Sequence, residues 1–358
     1  MKNINCHNIN VAPVHGIHVA ELRTLMMFFI LLLFIFIPFF PMAQDIHFSQ
    51  FMSSPMNMNP AQTGNFNGSY RFIGNGRRQW SSVTIPYQTF GISADARDFL
   101  RIKNVGAGIS LYQDQTGDSH FNTLQINLAA SYKIKLNKDS TQFLSLGIQS
   151  GITQRRIDYS NLTYDNQYNG VVYDPNIPSV ETYQNTGRIY ANLNAGINWM
   201  YNIKERTGIS AGISLYNITT PQQSFFGNNL IRLDNRYNFN VAGQMKLSKK
   251  FDLLPSALFM TQGTFKEFVA GSSVKYIVKN DPYKYRALYL GGWARTGDAA
   301  FVSLGMDYNK LYVCLSYDIN FSNLQPASNN RGGFEFAVIY IIDVLPKKIK
   351  YKICPEFI

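Results

Sequence analysis

Cysteine is scarce in this 358-residue chain: Cys6, Cys314 and Cys354 are all it has. That excludes a disulfide framework, and the spacing offers no zinc-ligand pair. A single bridge between Cys314 and Cys354 is the most that could form beyond residue 6. Their placement, one within a strand pattern and one in the tail, argues against it. Histidine is thin as well, with five residues, of which only His47 and His120 lie beyond residue 18. Charged residues make up 15% of the chain and hydrophobic residues 46%, the reverse of a disordered composition. Long apolar runs are also lacking. A helical membrane protein needs repeated runs of roughly 18 or more residues, and one stretch alone, Leu25 to Phe40, approaches this.

Aromatic residues are abundant (22 Tyr, 26 Phe and 3 Trp), the net charge is +11, and the mean hydropathy is slightly polar at -0.14. An apolar, aromatic-rich chain without helical spans fits a membrane β-barrel, in which each strand shows lipid only every second side chain. The charge excess admits nucleic acid, an anionic surface or an acidic protein as partner.

The apolar run follows Arg23 and leads through Pro41-Met42-Ala43 into Gln44-Asp45. A basic start, an apolar core and a small residue at the junction read as a secretory signal cut between Ala43 and Gln44. An uncleaved anchor helix is the alternative. Removing residues 1–43 takes away Lys2, Arg23 and Glu21, so the excess falls by only one and belongs to the exported protein.

From residue 69 the pattern has period two, the strand signature. Ile189, Ala191, Leu193, Ala195, Ile197 and Trp199 alternate with Tyr190, Asn192, Asn194, Gly196 and Asn198. Leu311, Val313, Leu315, Tyr317 and Ile319 alternate with Tyr312, Cys314, Ser316, Asp318 and Asn320. The second face carries Gly, Ser, Asn and Gln rather than Lys and Glu, which suits a crowded barrel interior. Runs bounded by turn residues give about 14 strands, an even number as a closed bacterial barrel requires. They fall at 69–80, 87–97, 104–113, 120–135, 141–156, 186–202, 207–218, 231–247, 251–262, 264–278, 284–296, 299–308, 310–321 and 332–343. The hexapeptide Ala-Gly-Ile-Ser-Leu-Tyr occurs at 107–112 and again at 211–216, as if two strands met equal demands. The chain then divides into the extension and signal peptide (1–43), an N-terminal periplasmic segment (44–68), the barrel (69–343) and a basic tail (344–358).

With the N-terminus periplasmic, the inner turns are short and basic. They include Arg101-Ile102-Lys103, Lys133 to Lys138, Lys204-Glu205-Arg206, Lys249-Lys250, Lys279 to Lys284, and Asn309-Lys310. The outer loops are long, notably 158–185, 219–230 and 322–331, as is usual for such barrels.

Two sets of motifs resemble a family. Near the start are Gln44-Asp45-Ile46-His47-Phe48-Ser49-Gln50-Phe51-Met52, then Asn59-Pro60-Ala61, Arg78-Gln79-Trp80 and Pro86-Tyr87-Gln88-Thr89-Phe90-Gly91-Ile92-Ser93. Near the end are Ser316-Tyr317-Asp318-Ile319-Asn320, Pro326-Ala327-Ser328, Arg331-Gly332-Gly333-Phe334-Glu335 and Cys354-Pro355-Glu356-Phe357. In order and placement these resemble the PorP/SprF family of Bacteroidetes, outer-membrane proteins of the type IX secretion and gliding-motility apparatus. The resemblance implies a barrel that holds or helps export a secreted adhesin through the adhesin's C-terminal domain. It also implies contact with a periplasmic, peptidoglycan-associated protein.

Several residues carry two readings. Asn59-Pro60-Ala61 is either a turn ending an extended lead-in or part of a segment that packs into the barrel mouth or offers a periplasmic docking strand. Arg71, Arg77 and Arg78 read as lumen charges paired with carboxylates such as Asp95. Asp118-Ser119-His120 reads as a turn, because adjacent residues cannot build a triad in which the base bridges nucleophile and acid. Lys347, Lys348, Lys350 and Lys352 form either a solvated tail or, with Lys249 and Lys250, a docking surface for an acidic periplasmic partner.

The expectation is a non-enzymatic, all-β outer-membrane barrel without cofactor or metal, embedded in lipid and docking type IX cargo. Export and the scatter of Lys over turns argue against nucleic acid. A channel or transporter for a small apolar solute is the alternative.

Overall fold

In the computed structural model, the described residues are 45–79, 85–117, 119–174, 176–179, 181, 185–228, 230–281, 284–321 and 331–343. The Ala43-Gln44 junction, Trp80, Asp118, residues 322–330 and the tail with Lys347, Lys348, Lys350, Lys352 and Cys354 lie outside them.

Fourteen strands form the wall: β1 Tyr70–Gln79, β2 Tyr87–Ala96, β3 Val105–Thr116, β4 Phe121–Lys135, β5 Gln142–Arg156, β6 Gly187–Lys204, β7 Thr207–Tyr216, β8 Arg236–Lys246, β9 Phe251–Gln262, β10 Phe265–Asp281, β11 Lys284–Arg295, β12 Ala299–Tyr308, β13 Leu311–Asn320 and β14 Arg331–Ile342. Each pairs antiparallel with its sequence neighbours, and β1 closes on β14 from Tyr70 opposite Ile342 to Gln79 opposite Gly333. Closure leaves no strand edge, so the backbone polar groups within the bilayer pair inside the wall, with one break in the β8–β9 ladder at Pro255. Among the described residues no helix is long and apolar enough to cross a membrane.

The expected strands are all present, and two boundary shifts have a physical cause. Strand β8 begins at Arg236 rather than 231, because Ile231 and Leu233 belong to a loop pinned by the Gln222–Arg232 bridge. Strand β3 runs on through Gln113-Asp114-Gln115-Thr116. Apolar alternation stops where the lipid stops, but the hydrogen-bond ladder continues past it.

The outer face is the apolar one. Leu128 and Ile148, at mid-strand on adjacent β4 and β5, are 64% and 63% exposed, while their neighbours Asn127 and Gln149 are buried in the lumen. Tyr70 and Ile342 share one rim, where the connections are short, for example Glu205-Arg206 and Asn309-Lys310. The opposite rim carries loops 157–186 and 217–235. By the short-turn rule the rim with Tyr70 and Ile342 is periplasmic.

This burial pattern sets the cost of a misplaced charge. Leu128→Arg is expected to destabilise the barrel by about 2–4 kcal/mol, the cost of Arg facing lipid at the midplane. Equilibrium unfolding in lipid vesicles measures it, and a cost below about 1 kcal/mol would contradict the assigned facing.

Candidate functional site

The chain's own N-terminal segment occupies the middle of the lumen. Residues 45–68 lie inside the barrel, not on its periplasmic side as the sequence pattern implied. The segment starts at the outer end, where Asp45 accepts hydrogen bonds from Asn217 Nδ2 (2.6 Å) and Gln262 Nε2 (3.0 Å). It descends through a 3-10 turn Phe51–Ser53, a helical turn Pro55–Met58 and a 3-10 turn Pro60–Gln62. Near the periplasmic end, Ser131 Oγ donates to Thr63 O (2.6 Å) and Lys133 Nζ to Asn65 Oδ1 (2.7 Å).

Two clamps hold this plug. At the outer clamp, Glu335 accepts from the backbone amides of Ser49 and Gln50, each at 2.8 Å. Ser49 Oγ donates to Asp318 Oδ2 (3.0 Å), and Gln50 Nε2 donates to Ser316 Oγ (2.9 Å). Arg77 and Arg295, both buried, each place an Nη2 at 3.4 Å from Asp318 Oδ2. At the lower clamp, Arg71 forms a two-pronged pair with Asp95 (2.6 and 2.9 Å), whose Oδ2 also accepts from Gly64 N (2.7 Å). The expected Arg71–Asp95 pairing is therefore present. Leaving either charge unpaired at such depth costs about 3–5 kcal/mol. His47 lies beside the outer clamp. Its Nε2 is 3.6 Å from Glu267 Oε2 and its Nδ1 is 3.0 Å from Asp45 O.

Close approach needs glycine in the wall. Asn59 is fully buried in extended conformation (φ -160°), as a residue before proline prefers. Its Nδ2 donates to Ile197 O at 3.1 Å and its Oδ1 accepts from Ala61 N at 2.9 Å. A Cβ on Gly196 would stand 2.1 Å from Asn59 Oδ1, and one on Gly147 would stand 2.3 Å from Ala61 N. Gly147 and Gly196 face each other across β5 and β6, making one window for the Asn-Pro-Ala turn. The motif is a turn and packs into the barrel, but its lead-in is helical rather than extended, and it forms no docking strand.

The repeated hexapeptide lies on β3 and β7 and faces the plug both times. Tyr112 packs on Phe48 with ring centroids 6.2 Å apart, and Tyr216 OH donates to Met56 O at 3.1 Å. Ser214 Oγ donates to Met58 O at 2.9 Å. The interior is not uniformly polar, however. Phe51 and Met58 of the plug join Leu258, Val269 and Phe301 of the wall in an apolar cluster.

Below the plug a cavity of about 1020 Å³ faces the periplasmic rim, with Arg97, Lys103, Lys135, Lys204 and Arg206 in its lining. Arg206 is held by Asp252 (2.5 Å), which keeps its guanidinium above the ordinary range. Lys246, Lys279 and Lys310 pair with Glu205 (3.5 Å), Asp281 (3.0 Å) and Asp343 (3.3 Å). Among the described residues, the side chains of Lys249 and Lys250 have no carboxylate within ion-pair distance.

Residues 42–340 match the type IX secretion system membrane protein PorP/SprF. The chain belongs to the PorP/SprF family. It is accordingly an outer-membrane protein of the type IX secretion system, and other components of that system are its partners. No curated protein matches the chain. Among solved structures it is similar to the toluene transporter TbuX of Ralstonia pickettii, with 9% identity, 80% of this chain and 92% of that one covered, and a TM-score of 0.47. The toluene transporter TodX of Pseudomonas putida shows 10% identity, 80% and 92% coverage and a TM-score of 0.45. A FadL homologue of Pseudomonas aeruginosa shows 10% identity, 79% and 92% coverage and a TM-score of 0.42.

The PorP/SprF motifs at the two ends of the sequence meet in the lumen. His47 to Phe51 is gripped by Ser316, Asp318 and Glu335 from the two C-terminal motifs. Lys249 and Lys250 sit on the periplasmic rim, as expected, with Arg101, Lys103 and Lys310. The structure corrects one residue: Arg78 points outward and is exposed, whereas Arg71 and Arg77 point in. Parity decides this, since Arg78 is one residue out of phase with the other two. Ser119-His120 is a turn, with His120 N donating to Gly117 O at 3.2 Å and His120 at φ +45°. Cys314 is a buried free thiol. The plug residues Ser49, Gln50 and Asn59 are the functional positions that period-two reasoning missed.

Gly196→Val is expected to displace the plug, because its side chain occupies the place of Asn59 Oδ1. Purified barrels in planar bilayers should then pass ion current that the parent chain blocks; unchanged conductance would contradict the fit.

Proposed function

We propose that this barrel docks or retains a secreted adhesin through the adhesin's C-terminal domain, and that its periplasmic rim contacts a peptidoglycan-associated protein. The observation that carries the reading is the gathering of short basic turns on one rim, around a mouth that the plug closes from within. A closed lumen suits a holding component better than a pore. Cationic side chains without ion-pair partners, such as Lys249 and Lys250, remain available to an acidic surface. The tail lysines Lys347, Lys348, Lys350 and Lys352 follow β14 in sequence and extend the same surface in this reading. Lipid of the outer membrane covers the outward apolar face, and the chain acts without catalysis or cofactor.

The rival reading, a channel for a small apolar solute, requires flux through the purified barrel with no protein cargo copurifying.

Charge reversal at Lys249, Lys250, Lys347 and Lys348 should lower recovery of periplasmic partners from native outer membranes. It should also flatten the salt dependence of that recovery, since exposed ion pairs are screened within about 10 Å at 0.1 M salt. Recovery of neither a type IX component nor a large adhesin with the parent chain would overturn the proposal.

A further inference from the structure

The plug does not fill the lumen completely. An apolar cavity of about 180 Å³ remains between Phe51 and Met52 of the plug and the inner faces of β8 to β13. Its wall includes Leu254, Tyr289, Trp293 and Phe301, with Trp293 stacked on Phe301 at 5.2 Å between ring centroids. A dry apolar cavity of about 150 Å³ is large enough to bind benzene, so this space accepts an apolar group of several carbons. Pro255, which has no N–H, interrupts the β8–β9 ladder between the pairs Ala242–Ser256 and Met245–Leu253, and the cavity reaches this break.

The cavity is not isolated. Met52, Ala242, Gly243 and Leu254 line both it and the large basic cavity below. At the junction stands Lys275. It lines the basic cavity, its Nζ lies 5.1 Å from the centre of the Tyr289 ring, and that ring lines the apolar cavity. Lys275 Nζ is 3.6 Å from Asp307 Oδ2, but Lys103, Lys133, Lys135 and Lys204 in the same lining have no carboxylate within ion-pair distance among the described residues. The two adjoining cavities together offer an apolar end, an aromatic neck and a cationic end.

We propose that this space binds an anionic amphiphile of the fatty-acid class, with its alkyl tail against Trp293 and Phe301 and its carboxylate among Lys275 and the vestibule lysines. Charge complementarity selects the head, and the dry aromatic walls select the tail. Neither an acidic peptide, which lacks the tail, nor a neutral hydrocarbon, which lacks the head, fills both ends. The inference does not depend on the docking reading, because Lys275 and the apolar walls that decide it face the lumen.

Trp293 provides the measurement. The full chain carrying Trp80→Phe and Trp199→Phe, which leaves Trp293 as its single tryptophan, is placed in zwitterionic nanodiscs and titrated with terminally brominated dodecanoate. Saturable quenching is expected, lost on Trp293→Phe, and roughly tenfold weaker with the matching dodecanol, the scale of one charge-assisted hydrogen bond. Lys275→Gln should narrow the gap between acid and alcohol, and Ser303→Leu, which fills the cavity, should weaken both. Quenching that rises without saturating, that survives Trp293→Phe, or that is equal for acid and alcohol would overturn the assignment. The acid–alcohol comparison on the parent cavity decides the matter even if a variant fails to fold.

Discussion

A fourteen-strand barrel encloses more space than its own wall side chains can fill. Barrels of about eight strands are filled by their inward residues, and those of 16–18 strands leave an aqueous channel. This wall falls between the two, and the chain meets the constraint by burying residues 45–68 in its own lumen. The polar character of the inner face follows from that choice. Asn238, Ser214 and Ser131 each donate to a carbonyl of the plug, which has no regular ladder to satisfy its backbone. A buried backbone group left without a partner costs about 1–3 kcal/mol. The small polar face is therefore a set of partners for an irregular segment, more than a lining for water.

The same constraint explains two features that are otherwise unrelated. The hexapeptide meets the plug on both strands: Gly108 approaches Met56 and Gly212 approaches Asn59, while Tyr112 covers Phe48 and Tyr216 bonds to Met56 O. The charged groups are concentrated at the two levels where the plug enters and leaves the packed zone. Asp318 and Glu335 serve the upper level and Asp95 the lower. Buried ion pairs offset their desolvation only with good geometry and added hydrogen bonds. Here the plug backbone supplies those bonds, so the wall's ion pairs and the plug are each incomplete without the other.

The wall was legible in the sequence and the plug was not, for a physical reason. Strand alternation is a local signal, repeated at every second residue under a uniform solvent contrast between lipid and lumen. It recovered all fourteen strands and the grouping of basic turns on one rim. The plug has no period because its partners are distant: Ser49 bonds to Glu335, 286 residues away. What marked it was the match of motifs at the two ends of the chain, His47 to Phe51 with Asp318 and Glu335, whose meeting no spacing rule foretells. The apolar sector on β9 to β12 was hidden for the opposite reason. Leu258, Val269 and Phe301 face inward, where a polar residue was expected, because Phe51 and Met58 of the plug shield them from water.

The chain's positive charge gains meaning from the same geometry. Arg77 and Arg295 are used up within the outer clamp and Arg71 within the lower one, so they contribute nothing to an external field. Arg206 is likewise committed to Asp252. Among the described residues, lysines without an ion pair, such as Lys103, Lys204, Lys249 and Lys250, gather at the periplasmic mouth, whereas arginines without one, such as Arg78, Arg156 and Arg331, lie at the opposite end. Lysine there has a use that arginine would not share: a mobile, strongly hydrated point charge adapts to different acidic contours, whereas a guanidinium fork demands one geometry. A plug held by arginine inside and a rim lined largely by lysine outside are therefore the two features on which the docking proposal rests. Both follow from how deeply each charge is buried.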